Sequence, residues 1–374
     1  MNNSKRHNIL ILKFPYSSTY GGGEKHTIRL VEKLDNYNFY LLSTCSVLIS
    51  EFKKRDWNVN TAWAGTEPVT PTSLVLFFFT APFVSLNLLR LLILYKRKHN
   101  IDTIYCLSLT EKILLTPWAK LMGIRIFWME HLQIERWLLK SPLRIFYVLW
   151  SKFVTIITVV EAVQDQLTKI GIAKENTQVI YNSVNIKQFI QHPSEPEKVK
   201  NNYSILFVGR LAREKGIDDL LQAIKIVKLQ IPHINLTIVG KGEQKEQLEK
   251  ITEELQLSDT ITFTGFQDDI VSSMQQCDAL VLPSTRRETF GIVTAEALAS
   301  MKPVIATTTG GLSEVVGKHG WLVEPSKPTQ IADALLEIYH DYPAALEKTR
   351  RGRLHVLELF REERMLKEYD NIFA

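Results

Sequence analysis

Cysteine is scarce in this chain of 374 residues: three, at 45, 106 and 277, odd in number and far apart. Thiols scattered this way exclude a disulfide framework and a C-x-x-C zinc site, and fit buried thiols in a reducing cytoplasm. No G-x-G-x-x-G string occurs, which argues against a redox dinucleotide. Zinc-finger spacing and aromatic RNA-binding strings are also missing, so nucleic acid is not an expected partner. There is no short-period repeat and no low-complexity tract. No small-residue cleavage site follows the apolar run 9–12, so the start reads as a β-strand rather than a secretion signal.

What is present is enough chain for two domains with separate cores. The net charge of +5 hides an asymmetry. Residues 1–190 hold 23 Lys and Arg against 13 Asp and Glu, a balance of +10, and the remainder carries −5. A basic half points to an anionic partner: a membrane surface, a pyrophosphate-linked acceptor or nucleic acid. With no nucleic-acid module in view, the membrane leads.

Apolar runs at 7–14, 38–43, 101–107, 124–129, 153–159 and 177–181 predict strands separated by helices. The polar segment 191–197 interrupts this and reads as a linker. Alternation restarts with strands at 203–209, 234–239, 260–264, 279–283, 303–307 and 321–323. Helices are expected at 216–230, 243–256, 268–276, 292–301 and 328–340, and a last charged helix at 354–372. Strand–helix alternation in both halves predicts an α/β protein of two doubly wound parallel sheets, divided at 188/189.

Two glutamates in the second half, Glu288 and Glu296, stand eight positions apart with a Gly and a helix start between them. They follow the strand at 279–283, beyond whose carboxyl end ligands bind in open α/β sheets. The helix start offers free N–H groups to a phosphate. Eight residues of helix span roughly 12 Å, wider than the roughly 5–9.5 Å of glycosidase carboxylate pairs, so hydroxyl binding suits them better than acid/base hydrolysis. Upstream, Gly209-Arg210 ends a strand and Lys215-Gly216 precedes a helix. Near the start, Gly21-Gly22-Gly23-Glu24 joins the first strand to a helix. His131 ends another apolar strand.

Together these strings resemble the retaining glycosyltransferases of family 4, the two-domain GT-B type or group 1 glycosyltransferases. The E-x7-E pair, the Gly-Arg…Lys-Gly loop, Gly240-Lys241-Gly242, Gly265-Phe266 and Thr309-Gly310-Gly311 carry the resemblance over nearly all of the second half. In the first half it rests on the Gly loop, Glu130-His131, Val159-Val160-Glu161 and 181–185. Two departures stand there: Val160 where the family often has Ser, and Asn182-Ser183-Val184-Asn185 for Asn-Gly-Val-Asp.

The resemblance implies a GT-B architecture, two Rossmann-like domains facing a cleft. Domain 1–188 takes the acceptor side, 189–355 holds the nucleotide sugar, and a helix at 356–374 packs back on the first. It also implies residue roles. His131, Arg210, Lys215 and Glu288 act at the reacting centre, the two cations on the leaving diphosphate. Gly22, Gly23, Gly209, Gly240, Phe266, Phe290, Gly291, Ile292, Val293 and Glu296 line the donor site, with Glu296 on the ribose hydroxyls. No cofactor or metal is expected, since basic residues replace the metal. The pairs Asp218-Asp219 and Asp268-Asp269 sit at predicted helix starts, where capping accounts for them.

Two segments of the first half bear on a membrane. Residues 74–95 are strongly apolar and end in Lys96-Arg97-Lys98-His99. The length permits a span, yet Pro82, Asn87 and Arg90 interrupt it, leaving an interfacial helix and ordinary core as alternatives. Residues 136–152 carry Arg136, Lys140 and Arg144 at helical spacing among aromatics, as on an interfacial helix face or a partly buried surface helix.

The expected protein is a cytoplasmic transferase, peripheral at the inner face of the plasma membrane. It would move a sugar from a nucleotide-sugar donor, UDP-linked in the leading reading, to a lipid-linked or oligosaccharide acceptor in bacterial lipopolysaccharide, O-antigen or capsule synthesis. A same-fold nucleotide-sugar 2-epimerase and a non-catalytic membrane-anchoring subunit are the alternatives.

Overall fold

The computed structural model describes residues 6–15, 21–65, 67–131, 136–190, 202–286 and 288–374. The predicted linker 191–197 lies outside them. Two compact units emerge: Met1–Ile180 with Leu366–Ala374, and Tyr181–Met365. The sequence-based divisions stood at 188/189 and 355/356.

The first unit is a parallel seven-stranded sheet: β1 (His7–Lys13), β2 (Tyr37–Ser43), β3 (Asn58–Thr61), β4 (Thr103–Cys106), β5 (Arg125–Glu130), β6 (Thr155–Thr158) and β7 (Thr177–Val179), in the order β3-β2-β1-β4-β5-β6-β7. The direction of winding reverses between β1 and β4. Strand β3 was not expected, because Asn58-Val59-Asn60-Thr61 is polar; as an edge strand it stays largely exposed and shows no apolar run. The three cysteines are free and buried.

The Pro71–His99 helix crosses from β3 back to β4. Thr70 caps it, accepting from the Ser73 amide, and Pro71 opens the first turn. Phe77, Val84, Leu88 and Leu92 form one buried stripe and join Leu10, Ile104 and Trp128 in the core. The segment 136–152 is not one helix. It is two, Arg136–Leu139 and Leu143–Trp150, parted at Ser141-Pro142. Arg136, Lys140 and Arg144 therefore do not line one continuous helical face.

The second unit is a six-stranded parallel sheet: β8 (Tyr203–Val208), β9 (Ile234–Val239), β10 (Ile261–Gly265), β11 (Ala279–Leu282), β12 (Val304–Thr307) and β13 (Trp321–Val323), in the order β10-β9-β8-β11-β12-β13. Here the reversal lies between β8 and β11. Asp269 accepts from the Val271 amide at 2.9 Å in a turn just ahead of the Val271–Gln276 helix, whose cap is Ile270 with no side-chain bond, so the expected capping is not seen there. Asp218 and Asp219 instead lie in the first turn of the Ile217–Lys228 helix, whose cap is Gly216. They act there on the helix dipole.

The expected helix 354–372 is also two, Tyr342–Leu359 and Glu362–Phe373. The break follows from packing. Phe360 is buried against Phe290 and Tyr181, with ring centroids 5.2 and 5.3 Å away. Its carbonyl accepts from the Val184 amide at 2.9 Å, which takes it out of the helical ladder. The chain from Leu366 then belongs to the first unit. Tyr37 donates to Asp370 at 2.8 Å, and Arg125 donates to the Phe373 carbonyl at 2.5 Å.

Glu111 is fully buried in the first unit, accepting from the Leu107 and Ser108 amides. Burial pushes its carboxyl from 4.5 up to about 8, against the opposing pull of its backbone hydrogen bonds. The folded state therefore holds a proton that the unfolded state releases above about pH 4.5. Its contribution is complete below that pH and is lost as pH rises through about 8. Glu111→Gln should flatten the fall in stability between pH 5 and 8, by on the order of 1–3 kcal/mol. Urea midpoints at the two pH values check this, and parallel curves for variant and wild type would refute it.

Candidate active site

In the second unit the reversal of winding sets the loops after β8 and β11 side by side, the place where an open sheet leaves a crevice. The β8 loop runs Gly209-Arg210-Leu211-Ala212, makes a short turn at Arg213–Lys215, and enters its helix through Gly216 in the left-handed region (φ 63°). A side chain at Gly216 would meet the Pro283 carbonyl at 2.3 Å, so only glycine lets the loops approach this closely. The Thr285 amide donates to the Glu214 carbonyl at 2.9 Å and stitches them together.

Across this seam Lys215 Nζ lies 2.5 Å from Glu288 Oε2, and both side chains are largely buried. The buried Ser284 hydroxyl donates to the same oxygen at 3.1 Å. The Ser284 carbonyl is in turn gripped by Thr307 and Thr309 at 2.6 and 3.0 Å. Arg210 pairs with Glu214 but leaves its side chain 61% exposed. The loop thus presents one largely buried cation and one exposed cation, each paired with a glutamate.

Gly291 (φ 72°) caps the Ile292–Ala299 helix. Glu296 sits in that helix, half-buried, one turn beyond the cap. Phe290 is buried, so its backbone rather than its ring is what a ligand could reach. Behind the β8 loop, Gly240 at φ 151° would drive a side chain to 1.8 Å from the Gly209 carbonyl. Phe266 is half-exposed, with Lys241 Nζ 5.7 Å from its ring centroid. Arg210, Lys215, Glu288, Gly209, Gly240 and Gly291 gather on the carboxyl-end loops of this sheet, with Ile292 and Val293 in the first turn of the helix that follows.

In the first unit the Gly22–Lys33 helix begins at the Gly loop, whose residues 16–20 lie outside the described set. Glu24 closes the turn, accepting from the Gly21 amide at 3.0 Å and pairing with Lys13 at the end of β1. Gly23 backs onto His131, where an added side chain would lie 3.1 Å from the ring. His131 follows β5. Its Nε2 is buried with no hydrogen-bond partner among the described residues, and the His26 ring meets it edge-on at 5.0 Å. Burial, and then the charges of His26, Lys13 and Lys112, hold its pKa well below the ordinary imidazole value. The ring is neutral at pH 7. Val160 caps the Glu161–Lys169 helix with no side-chain bond, the local result of the Ser-to-Val departure.

Sequence reasoning missed Ser284, Glu214, Lys13 and His26. Each had a positional signal. Ser284 follows a strand four residues before Glu288, and Lys13 ends the strand before the Gly loop. The partners that would have made them stand out are distant in sequence. Arg136's side chain lies outside what the structure describes. Lys140 is exposed, and Arg144 reaches the Ile170 carbonyl at 3.4 Å.

Two doubly wound parallel α/β units, the second with a lysine–glutamate pair at its switch point, define the GT-B class of architecture. The glycosyltransferase family 4 model matches residues 20–188 and the glycosyl transferases group 1 model residues 188–354. The chain belongs to this family, the group 1 glycosyltransferases of family 4 type. A glycosyltransferase of Methanocaldococcus jannaschii is 30% identical over 233 residues, 58% of this chain and 59% of that protein. The match thus spans less than two thirds of that relative. Among solved structures, a glycosyltransferase from Rickettsia africae superposes with TM-score 0.83 at 22% identity, covering 99% of this chain and 98% of that one. Anabaena HepE, solved with UDP, gives 0.80 at 21%, covering 98% and 99%.

Proposed function

We propose that this chain is a retaining glycosyltransferase moving a sugar from a UDP-sugar to a lipid-linked glycan at the cytoplasmic face of the plasma membrane. The product class would be a bacterial surface polysaccharide. The observation that carries the reading is the Lys215–Glu288 pair at the switch point of the second sheet. HepE's binding of UDP on a similar fold supports the choice of nucleotide.

In this reading Lys215 and the exposed Arg210 neutralise charge that develops on the leaving diphosphate. A diphosphate arriving at the seam exchanges carboxylate partners for phosphate oxygens, with Arg210 as the fork and Lys215 as a point charge. Glu288 binds donor-sugar hydroxyls and Glu296 those of the ribose. The amides from Phe290 to Val293, at a helix start, complete the phosphate cradle. The bond between the anomeric carbon and phosphate oxygen breaks as the acceptor oxygen bonds to that carbon on the same face. The acceptor proton passes to the leaving phosphate. Neutral His131 offers a hydrogen bond to the sugar without adding charge.

Incubation of UDP-sugars with membrane-extracted acceptor should release UDP only when acceptor is present, and this should continue in excess EDTA. Complete loss in EDTA restored by magnesium or manganese would overturn the basic-residue mechanism. Formation of an epimer from donor alone would replace transfer by 2-epimerisation.

A further inference from the structure

Up to Leu89 the Pro71–His99 helix is largely apolar on both its inner and outer sides, a pattern found where both faces are buried in protein or lipid. Its inner stripe fills the core of the first unit. The opposite stripe advances in steps of three and four residues through Val75, Phe79, Phe83 and Leu86, which are 60, 74, 69 and 60% exposed. Arg90, Leu94 and Arg97 continue it, all exposed. Single exposed apolar residues are ordinary on a protein surface, but a contiguous patch is not.

A second exposed apolar face belongs to the same unit. The Leu143–Trp150 helix leaves Ile145, Phe146 and Leu149 exposed, while its inner residues Leu143 and Tyr147 join the same core cluster as Phe77 and Leu88. The Thr116–Leu121 helix is tied to the long helix, with Trp118 donating to Ser85 at 2.7 Å, and Lys120 lies over the Phe153 ring at 5.5 Å.

Charge identifies the occupant. Residues 68–101 and 136–160 contain no aspartate or glutamate, while Arg90, Arg97, Lys98, Lys140 and Lys152 are exposed. A second copy of this chain would bring cations against cations with no carboxylate on these segments to answer them. An anionic bilayer answers both features at once, with acyl chains for the phenylalanines and headgroups for the arginines and lysines. The inner stripe, held in the sheet's core, prevents the helix from leaving to span.

We propose that the outer face of the Pro71–His99 helix is a docking surface that inserts into the interface of an anionic phospholipid bilayer. The proposal rests on the membrane-facing reading above and moves the main contact from the Arg136–Arg144 region to an apolar insertion.

Vesicle flotation of the full chain tests it, with phosphatidylglycerol–phosphatidylcholine vesicles. Wild type should float, and a large share should remain bound at about 1 M salt, where the Debye length is about 3 Å and purely electrostatic attachment is screened. Phe79→Glu/Phe83→Glu should weaken binding at least about a hundredfold, each phenylalanine supplying about tenfold. Because the native cysteines are buried, Phe83→Cys can carry an environment-sensitive dye, and its emission should shift to the blue on adding these vesicles. A wild type that stays unbound, a double variant that floats like wild type, or an unshifted dye overturns the proposal. So does a wild-type dimer that the double variant dissociates. UDP affinity, measured on the same proteins, should be equal in both. Its absence with flotation intact would sink the transferase reading and leave the docking surface standing.

Discussion

Lys215→Ala is expected to lower turnover roughly ten- to a hundredfold at saturating donor. A charge-assisted hydrogen bond contributes about 1.5–3 kcal/mol, and that is the size of the rate loss if the bond strengthens in the transition state. The effect should exceed that of Arg210→Ala, because Lys215 is held at 17% exposure while Arg210 is 61% exposed to solvent screening. A fixed cation needs no reordering when charge develops. The substitution also takes one partner from Glu288, which keeps the Ser284 hydroxyl, so melting temperatures must accompany the kinetics. Lys215→Arg should recover part of the rate. Turnover within about threefold of wild type in a folded Lys215→Ala protein would remove Lys215 from the reaction.

Gly240→Ala should unfold the second unit more readily than any surface substitution there. The added carbon would sit 1.8 Å from the Gly209 carbonyl, on a backbone at φ 151° that side chains rarely tolerate. Neither loop can yield easily, since the Leu211 amide donates to the Lys241 carbonyl and Gln244 donates back to Leu211. A cost of about 3 kcal/mol or more corresponds to a fall of about 6–12 °C in this size class. Gly265→Ala is the internal control: φ is 75°, yet among the described residues nothing lies within 4 Å of an added Cβ, so only the roughly 1–2 kcal/mol of left-handed strain remains. Equal melting shifts for the two variants would show that the close approach of loops is not what matters.

Much of this was legible in the sequence because it is local. Parallel strands buried on both faces are apolar throughout, so β1, β8 and β11 stood out as runs. Glycines at strand ends marked the loops around Arg210, Lys215 and Glu288. What was hidden depended on long-range contact. Strand β3 pairs at an exposed edge and has no apolar signature. The break at Phe360 depends on Phe290, Tyr181 and Val184, none of them near it in sequence. Basic residues at i, i+4 and i+8 promised one helical face, but Pro142 divides the segment and dissolves the pattern. For the long apolar helix, the sequence could not separate core from interface because both stripes are apolar.

The return of Leu366–Ala374 to the first unit has a bearing on the order of synthesis. His26 meets the Tyr369 hydroxyl at 2.9 Å, Tyr37 donates to Asp370, and Arg125 donates to the Phe373 carbonyl. Those partners emerge from the ribosome only after every residue of the second unit. The half made first is therefore the half completed last, and one surface of it lacks its covering segment until the whole of the second unit has been synthesised. A nascent chain stalled anywhere between 181 and 365 exposes the unfinished face around His26, Tyr37 and Phe127, the last of which packs its ring 5.2 Å from that of Phe373 in the finished unit.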